Sequence, residues 1–275
     1  KKTNLLSSGK LKNIFLISFC LLPVSLGFFI PFIFLLFNSL QSLEIFLLKD
    51  TMINAFNTVF LALSVSFIII FLSLLINYSA RIKETRINLF FNKVSSLGYA
   101  IPGSIIAIGI LIPFTYFDNF FINFFKINFN LNINTFFTGS IFVLCFAYIV
   151  RFFTISQTNI ESSFLRISKN IDHTARVLGK KPILILFNIH IPLMSLSILL
   201  TLILIFIEII KELSATLILR PFNFNTLAIQ VYEYASEEKI IESSIPSLII
   251  VVLCVIGVVF MSKINNQLFK SGERQ

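Results

Sequence analysis

Six long apolar runs divide this chain, and most of the stretches between them are short and polar. The runs are Ile14–Phe37, Ile53–Tyr78, Val94–Phe117, Phe136–Ile155, Ile189–Ile210 and Ile245–Met261. Each is close to the ~20 residues that a helix needs to cross the hydrocarbon of a bilayer. Leu, Ile and Phe follow one another without the two-residue alternation of a barrel strand, so the pattern predicts helices. The fourth run carries Arg151 near its end, where a long side chain reaches for the membrane interface. The sixth is short and extends at most to Ile264. The expected fold is an all-α membrane protein of six transmembrane helices.

Composition agrees with lipid as the solvent. Charged residues make up 13% of the chain and hydrophobic ones 56%. A soluble domain carries about 25% charged residues. The first run is too long for the core of a signal peptide and no small-residue cleavage pattern follows it, so a retained first span is expected. Position 1 is Lys, in keeping with a trimmed chain or a part of a longer one.

Charge then orients the spans. Seventeen of the 22 Lys and Arg fall in the N-terminal tail, the second loop, the loop beginning at Arg151 and the C-terminal tail. Lys and Arg accumulate on the cytoplasmic side, so both termini are expected there, as an even number of spans requires. Topology thereby accounts for the net charge of +9, and nucleic acid is not an expected partner. Residues 1–13 and 265–275 read as cytoplasmic tails around a membrane domain of 14–264. Glu233, Glu237, Glu238 and Glu242 cluster in the last outer loop, either as a solvated surface or as a docking face for an external partner. Cys20, Cys145 and Cys254 lie far apart inside apolar runs and read as small buried hydrophobes.

One polar stretch, about 160–192, is long enough to hold structure. Asp172 to Leu178 predicts a short helix that Gly179 terminates, since a helix C-terminus often needs positive φ. Pro182 suits the first turn of a second helix, and Pro192 stands at the start of the fifth span. His173-Thr174-Ala175, then Gly179, then Ile189-His190-Ile191-Pro192 resemble the "EAA" loop of ATP-binding-cassette importer permeases. That pattern is Glu-Ala-Ala, three residues, Gly, nine residues, Ile-x-Leu-Pro. The spacing matches throughout, while His173 replaces the Glu, Thr174 the first Ala and Ile191 the Leu. The resemblance implies a coupling helix that seats in a groove of the ATPase subunit and passes rigid-body motion to the spans.

Further strings resemble the iron(III) branch of this family. Tyr99-Ala100-Ile101-Pro102-Gly103 is similar to its "YAIPG", and Ala147-Tyr148 with Arg151-Phe152 to its "AYxxRF". The stretch from Lys211-Glu212-Leu213-Ser214 to Arg220-Pro221-Phe222 is similar to its "KELPATLLLRPF", with Ser214 where Pro is usual. The likeness runs from about residue 20 to 262 and is to the C-terminal half of a two-half permease. It implies a type I importer permease in the bacterial inner membrane. The implied partners are a dimer of ATPase subunits, a second permease half or copy, and a periplasmic substrate-binding protein. ATP would be bound by the ATPase, and this chain would hold no cofactor.

Individual residues admit two readings each. Gly98, Gly103 and Gly109 with Pro102 and Pro113 interrupt the third span, as a packing kink or as a pore-lining hinge. Glu208, Lys211 and Glu212 share a helical face at the outer end of the fifth span. They read as a structural ion pair or, with Tyr99, Pro102 and Gly103, as part of a translocation gate. His173 and His190 are the only histidines and read as surface or interface residues; no metal site is expected. Asp118 to Thr135, rich in Phe, reads as an amphipathic segment on the outer face or as a loop. No Gly-x-x-x-x-Gly-Lys-[Ser/Thr] loop, Ser–His–acid set or paired carboxylates are evident, so no catalysis is expected of this chain. Importers of molybdate, sulfate, thiamine or polyamine are the nearest alternatives, and an ion-gradient-driven transporter is a more distant one.

Overall fold

The computed structural model describes residues 10–41, 49–83, 85–86, 90, 94–95, 97–131 and 134–272, without the side chains of 10, 11, 13 and 265–272. Much of the two predicted tails, including Lys1, Lys2 and Arg274, lies outside the described residues. In chain order the helices are α1 Lys10–Val24, α2 Ile30–Gln41, α3 Lys49–Ile82, α4 Gly103–Phe129, α5 Ile141–Leu165 and α6 Lys169–Val177. The short α7 Pro182–Ile185 and α8 Ile191–Leu193 lead into α9 Ser195–Ile210. The chain then forms α10 Ser214–Leu219, α11 Leu227–Ser236 and α12 Ile240–Gly272. No strand occurs among the described residues.

Among the described residues five helical stretches are long and apolar enough to cross a membrane, and six if the bent pair Pro182–Leu193 and Ser195–Ile210 is one span. The chain is a multi-pass membrane protein. Each expected span corresponds to a helix, though the ends differ. The third differs most. Its α-helix starts only at Gly103, because Pro102 is extended at φ −54° and ψ 139° and Gly98–Ala100 forms a separate 3₁₀ turn. It then runs to Phe129, where Asn130 caps it in the left-handed region. The surface segment expected from Asp118 onward is therefore the continuation of α4. The fourth span is displaced too, from Phe136–Ile155 to Ile141–Leu165.

Two turns of π-helix have one cause. Ser25–Phe29 joins α1 to α2, and Leu186–His190 joins α7 to α8. Each is followed by Ile and then Pro: the Ile30 N–H donates to the Ser25 carbonyl, and the Ile191 N–H to the Leu186 carbonyl. A proline ring clashes with the carbonyl four residues earlier and offers no N–H, so the turn before it widens. Shortly after Pro192 the chain bends by 79° into α9.

The core lies where α3, α5 and α9 meet, with α12 packed on α2, α9 and α11. Polar side chains join the helices inside it. Asn77 and Gln157 exchange side-chain hydrogen bonds of 3.0 and 3.1 Å between α3 and α5. Near the other end of α3, Gln230 of α11 accepts from Asn54 and donates to Thr51. In lipid such bonds supply adhesion that apolar faces alone do not, about 0.6–2 kcal/mol each. Cys145 and Cys254 are half-buried and free. Cys20 is exposed, against the expectation of burial, because every described side chain of α1 lies away from the bundle, where an apolar side chain meets lipid at no cost.

Candidate functional site: a helical loop and a buried ion pair

At one end of the bundle α6, a turn and α7 form the helix–turn–helix that the spacing predicts. The Ser168 side chain caps α6 by accepting from the Asn170 N–H. At the other end of α6 the Lys180 N–H donates to the Ala175 carbonyl and the Gly179 N–H to that of Arg176. This pair of bonds closes a Schellman turn, which needs a left-handed residue, and Gly179 stands at φ +78°. His173, Thr174, Gly179 and Pro192 are exposed, Ile189 is half-buried and Ala175 is buried against the bundle. The tip is apolar: Val177 is 87% exposed and Leu178 74%.

What fastens this loop was not among the predicted residues. The Asp172 Oδ2 accepts from Arg81 Nε at 2.8 Å, and its Oδ1 lies 2.8 Å from His190 Nε2. Arg81 also donates to the carbonyls of Phe164 and Ile167, at 2.6 and 2.8 Å. Asp172 thus ties α6 to the end of α3 and to the π turn before α8, and Arg81 links the end of α5 to the same cluster. Burial pushes the Asp172 carboxyl up, but the hydrogen bonds from His190 and Arg81 outweigh it and hold the group below the ordinary value. His190, expected at a surface or an interface, is instead fully buried within this chain, because its ring packs on those of Tyr78 and Phe164 while Asp172 satisfies Nε2. The acidic anchor of this loop is Asp172, one position before the His173 that replaces the Glu of the motif.

Deeper in the bundle, two of the predicted gate residues, Gly103 and Glu212, meet one missed partner, Arg151. It lies ten residues into α5, about 15 Å along the axis from the start of the helix. Its side chain turns inward and does not reach for an interface, as its place near the end of an apolar run implied. Its Nη1 donates to Glu212 Oε1 at 2.8 Å and to Ser214 Oγ at 3.1 Å. The same Glu212 oxygen accepts from Ser214 Oγ at 2.8 Å and from the Ala215 N–H at 3.0 Å. The carboxylate therefore starts α10 as well as pairing Arg151. Tyr148 and Thr216 meet hydroxyl to hydroxyl beside it.

Two glycines make room for this. A Cβ on Gly103 would collide with Arg151 Nη1 and with Ser214 Oγ, and one on Gly98 with the Val150 carbonyl oxygen. Only glycine lets the 3₁₀ turn approach the α5 backbone so closely at position 98, and at position 103 it leaves the space that the Arg151 and Ser214 side chains fill. Glu208, Lys211 and Glu212 do not share a face as expected, because α9 ends at Ile210 and Glu212 turns back toward α5. Glu208 pairs with Lys211 at 2.8 Å and accepts from Tyr99 Oη at 3.4 Å. Pro102 is exposed and ends the extended stretch before α4.

Just past the middle of α4, Asp118 accepts from the N–H groups of Phe136, Phe137 and Thr138 at 2.7–2.9 Å, which fixes the loop into α5. Of the acidic cluster, Glu233 pairs with Arg220 at 2.9 Å and Glu237 with Lys239 at 2.6 Å. Among the described residues no group of three or more His, Cys, Asp or Glu is arranged to hold a metal ion.

The geometry can be set beside known proteins. No family model matches the chain. It is 24% identical over 177 residues to the Fe(3+)-transport system permease protein FbpB 2 of Haemophilus influenzae. That alignment covers 64% of this chain and 32% of the relative, so the chain spans about a third of the relative's length. A chain of the bacterial alginate ABC transporter, in complex with its alginate pentasaccharide-bound periplasmic protein, superposes with a TM-score of 0.70 at 15% identity. That match covers 94% of this chain and 96% of the other. A chain of the MetNI methionine ABC transporter, in inward-facing form, reaches 0.50 at 12% identity over 79% of this chain and 99% of its own. Five helical spans with a bent sixth, a helix–turn–helix loop before the fifth and a near end-to-end match give this chain the fold of ABC importer permeases.

Proposed function

We propose that this chain is a membrane permease of an ABC importer, and that it passes iron(III) received from a periplasmic binding protein. A separate pair of ATPase subunits supplies the energy, and a second permease half or copy completes the pathway. The observation that carries this reading is the loop of α6 and α7. It is capped at both ends, its apolar tip Val177-Leu178 is exposed, and Asp172 binds it to the bundle. A partner that pushes on the tip moves α3, α5 and the start of the fifth span with it. Iron rests on the likeness to the Fe(3+)-transport permease and on the strings that meet at Arg151 and Glu212.

Molybdate, sulfate, thiamine and polyamine importers are the alternatives within the same mechanism. A gradient-driven transporter needs an intramembrane acid free to load and release a proton or cation. Glu208 and Glu212 are both paired, with Lys211 and Arg151, which speaks against it. The test is uptake of radiolabelled iron(III) in cells holding the complete system, comparing the native chain with Gly179→Asp at equal membrane levels. ATP-dependent uptake that the substitution abolishes supports substrate and coupling together. Full uptake in the variant removes the coupling role of the loop, and no iron uptake by the native chain directs the search to the other substrates.

A further inference from the structure

The permease reading leaves unused a cavity near the helical loop. It lies between α5, α9 and α12 at the end of the bundle that bears α6, with a volume of about 280 Å³. Its polar wall is Asn159, Ser162, Ser163, Arg166, Ser197 and Thr201. Leu200, Leu204 and Met261 close its apolar side.

The donors in this wall decide its chemistry. Ser162, Ser163 and Thr201 donate to carbonyls of their own helices, so their protons are engaged. The Asn159 amide, the Ser197 hydroxyl and the Arg166 guanidinium have no side-chain hydrogen bond among the described residues. Arg81, Arg151 and Arg220 each meet a carboxylate, from Asp172, Glu212 and Glu233. Arg166 meets none among the described residues, and no described Asp or Glu lines the cavity. A guanidinium, an amide and a hydroxyl without a nearby acid suit an anion with several acceptor oxygens. A bare metal cation would find neither carboxylate nor imidazole there.

Position relates the cavity to the transport elements. Ser197, Thr201, Leu204, Glu208 and Lys211 follow one another at intervals of four, three, four and three residues, so they form one stripe along α9 and its end. The stripe starts in the cavity and ends at the Glu208–Lys211 pair that Tyr99 touches.

We propose that the cavity around Arg166 is a binding site for an oxyanion, a phosphate or carboxylate group, at the loop end of this stripe. The group belongs either to a soluble oxyanion or to an anionic lipid headgroup. The inference rests on the permease reading for its place on the pathway; the ligand class rests on the wall alone.

The test uses the assembled transporter in nanodiscs of purely zwitterionic lipid, with radiolabelled inorganic phosphate in equilibrium dialysis. Native protein is expected to bind phosphate saturably, Arg166→Gln about tenfold or more weakly, and Arg166→Lys within a few-fold of native, because a lysine keeps the charge but not the fork. In a second arm, nanodiscs contain phosphatidylglycerol and retained lipid is counted by native mass spectrometry. Retention that falls in Arg166→Gln without phosphate binding in the first arm assigns the group to lipid and still supports the site. Equal results for native and Arg166→Gln in both arms, or no binding in either, overturn it. Iron uptake is measured in cells holding the complete system, with the same native and variant chains. Phosphate binding without iron uptake removes the iron substrate and keeps the site, and iron uptake without any oxyanion binding does the reverse.

Discussion

Arg151 is a charge deep within the bundle, where lipid tolerates it only with a partner, and Glu212 reaches it through the space that Gly103 leaves. Gly103→Ala places a methyl against the guanidinium and must displace it. Breaking a buried pair from one side costs about 3–5 kcal/mol, since the other charge stays behind. The expected outcome is a loss of about 3 kcal/mol in unfolding free energy, read by detergent titration of the purified protein. Gly109→Ala, at a helix position with nothing within 4 Å, is the matched control and should shift stability by no more than about 1 kcal/mol. Equal effects of the two substitutions would mean that Arg151 has another place to go.

Among the elements, the turn between α6 and α7 has its geometry set by Gly179. A residue with a Cβ at φ +78° is strained by about 1–2 kcal/mol, with Asn the best tolerated after Gly. Stability of the loop should therefore fall in the order Gly, Asn, Ala, with Ala about 1 kcal/mol below Gly. Hydrogen exchange at the Lys180 amide, which the turn protects, reads it locally. Nothing lies within 4 Å of a Cβ at Gly179, so the effect is one of backbone strain and not of a clash. An order in which Ala equals Gly would show that the turn relaxes to another conformation. The two π turns are set just as locally: in each an Ile-Pro step widens the preceding turn, and the second leads into the bend at the start of α9.

For the molecule as one body, Asp172 is where separate elements are joined. It holds α3 through Arg81 and the start of the fifth span through His190, over 91 and 18 residues of sequence. Its carboxyl titrates below the ordinary Asp value in the folded protein, so it stabilises the fold fully above the unfolded value of about 3.9. That stabilisation is lost as pH falls through the lower, folded value. Native protein and Asp172→Asn are thus expected to differ most above about pH 4 and to converge below it, in thermal unfolding followed against pH. A difference that stays constant down to about pH 2 would place the effect of the substitution outside the titration of this group.

Part of this was legible in the order of residues. Six apolar runs, the short helix ending at Gly179 and the proline that begins the next one are local patterns, set by propensity, capping and hydrophobic length. The likeness of the Tyr99–Gly103, Arg151 and Lys211–Phe222 strings pointed to residues that do lie near one another. The span ends were less legible. An apolar run continues past the point where Pro102 breaks the helix, and Phe remains frequent in α4 beyond Asp118. The partners were not legible at all. Arg151 finds Glu212 across 61 residues, and Asp172 finds Arg81 across 91. A buried charge selects its partner by what packing brings within about 3 Å, and residue order carries no record of that distance. Helix positions and a lipid surrounding thus follow from the chain alone, whereas the meeting of charges inside the bundle follows only from how the helices pack.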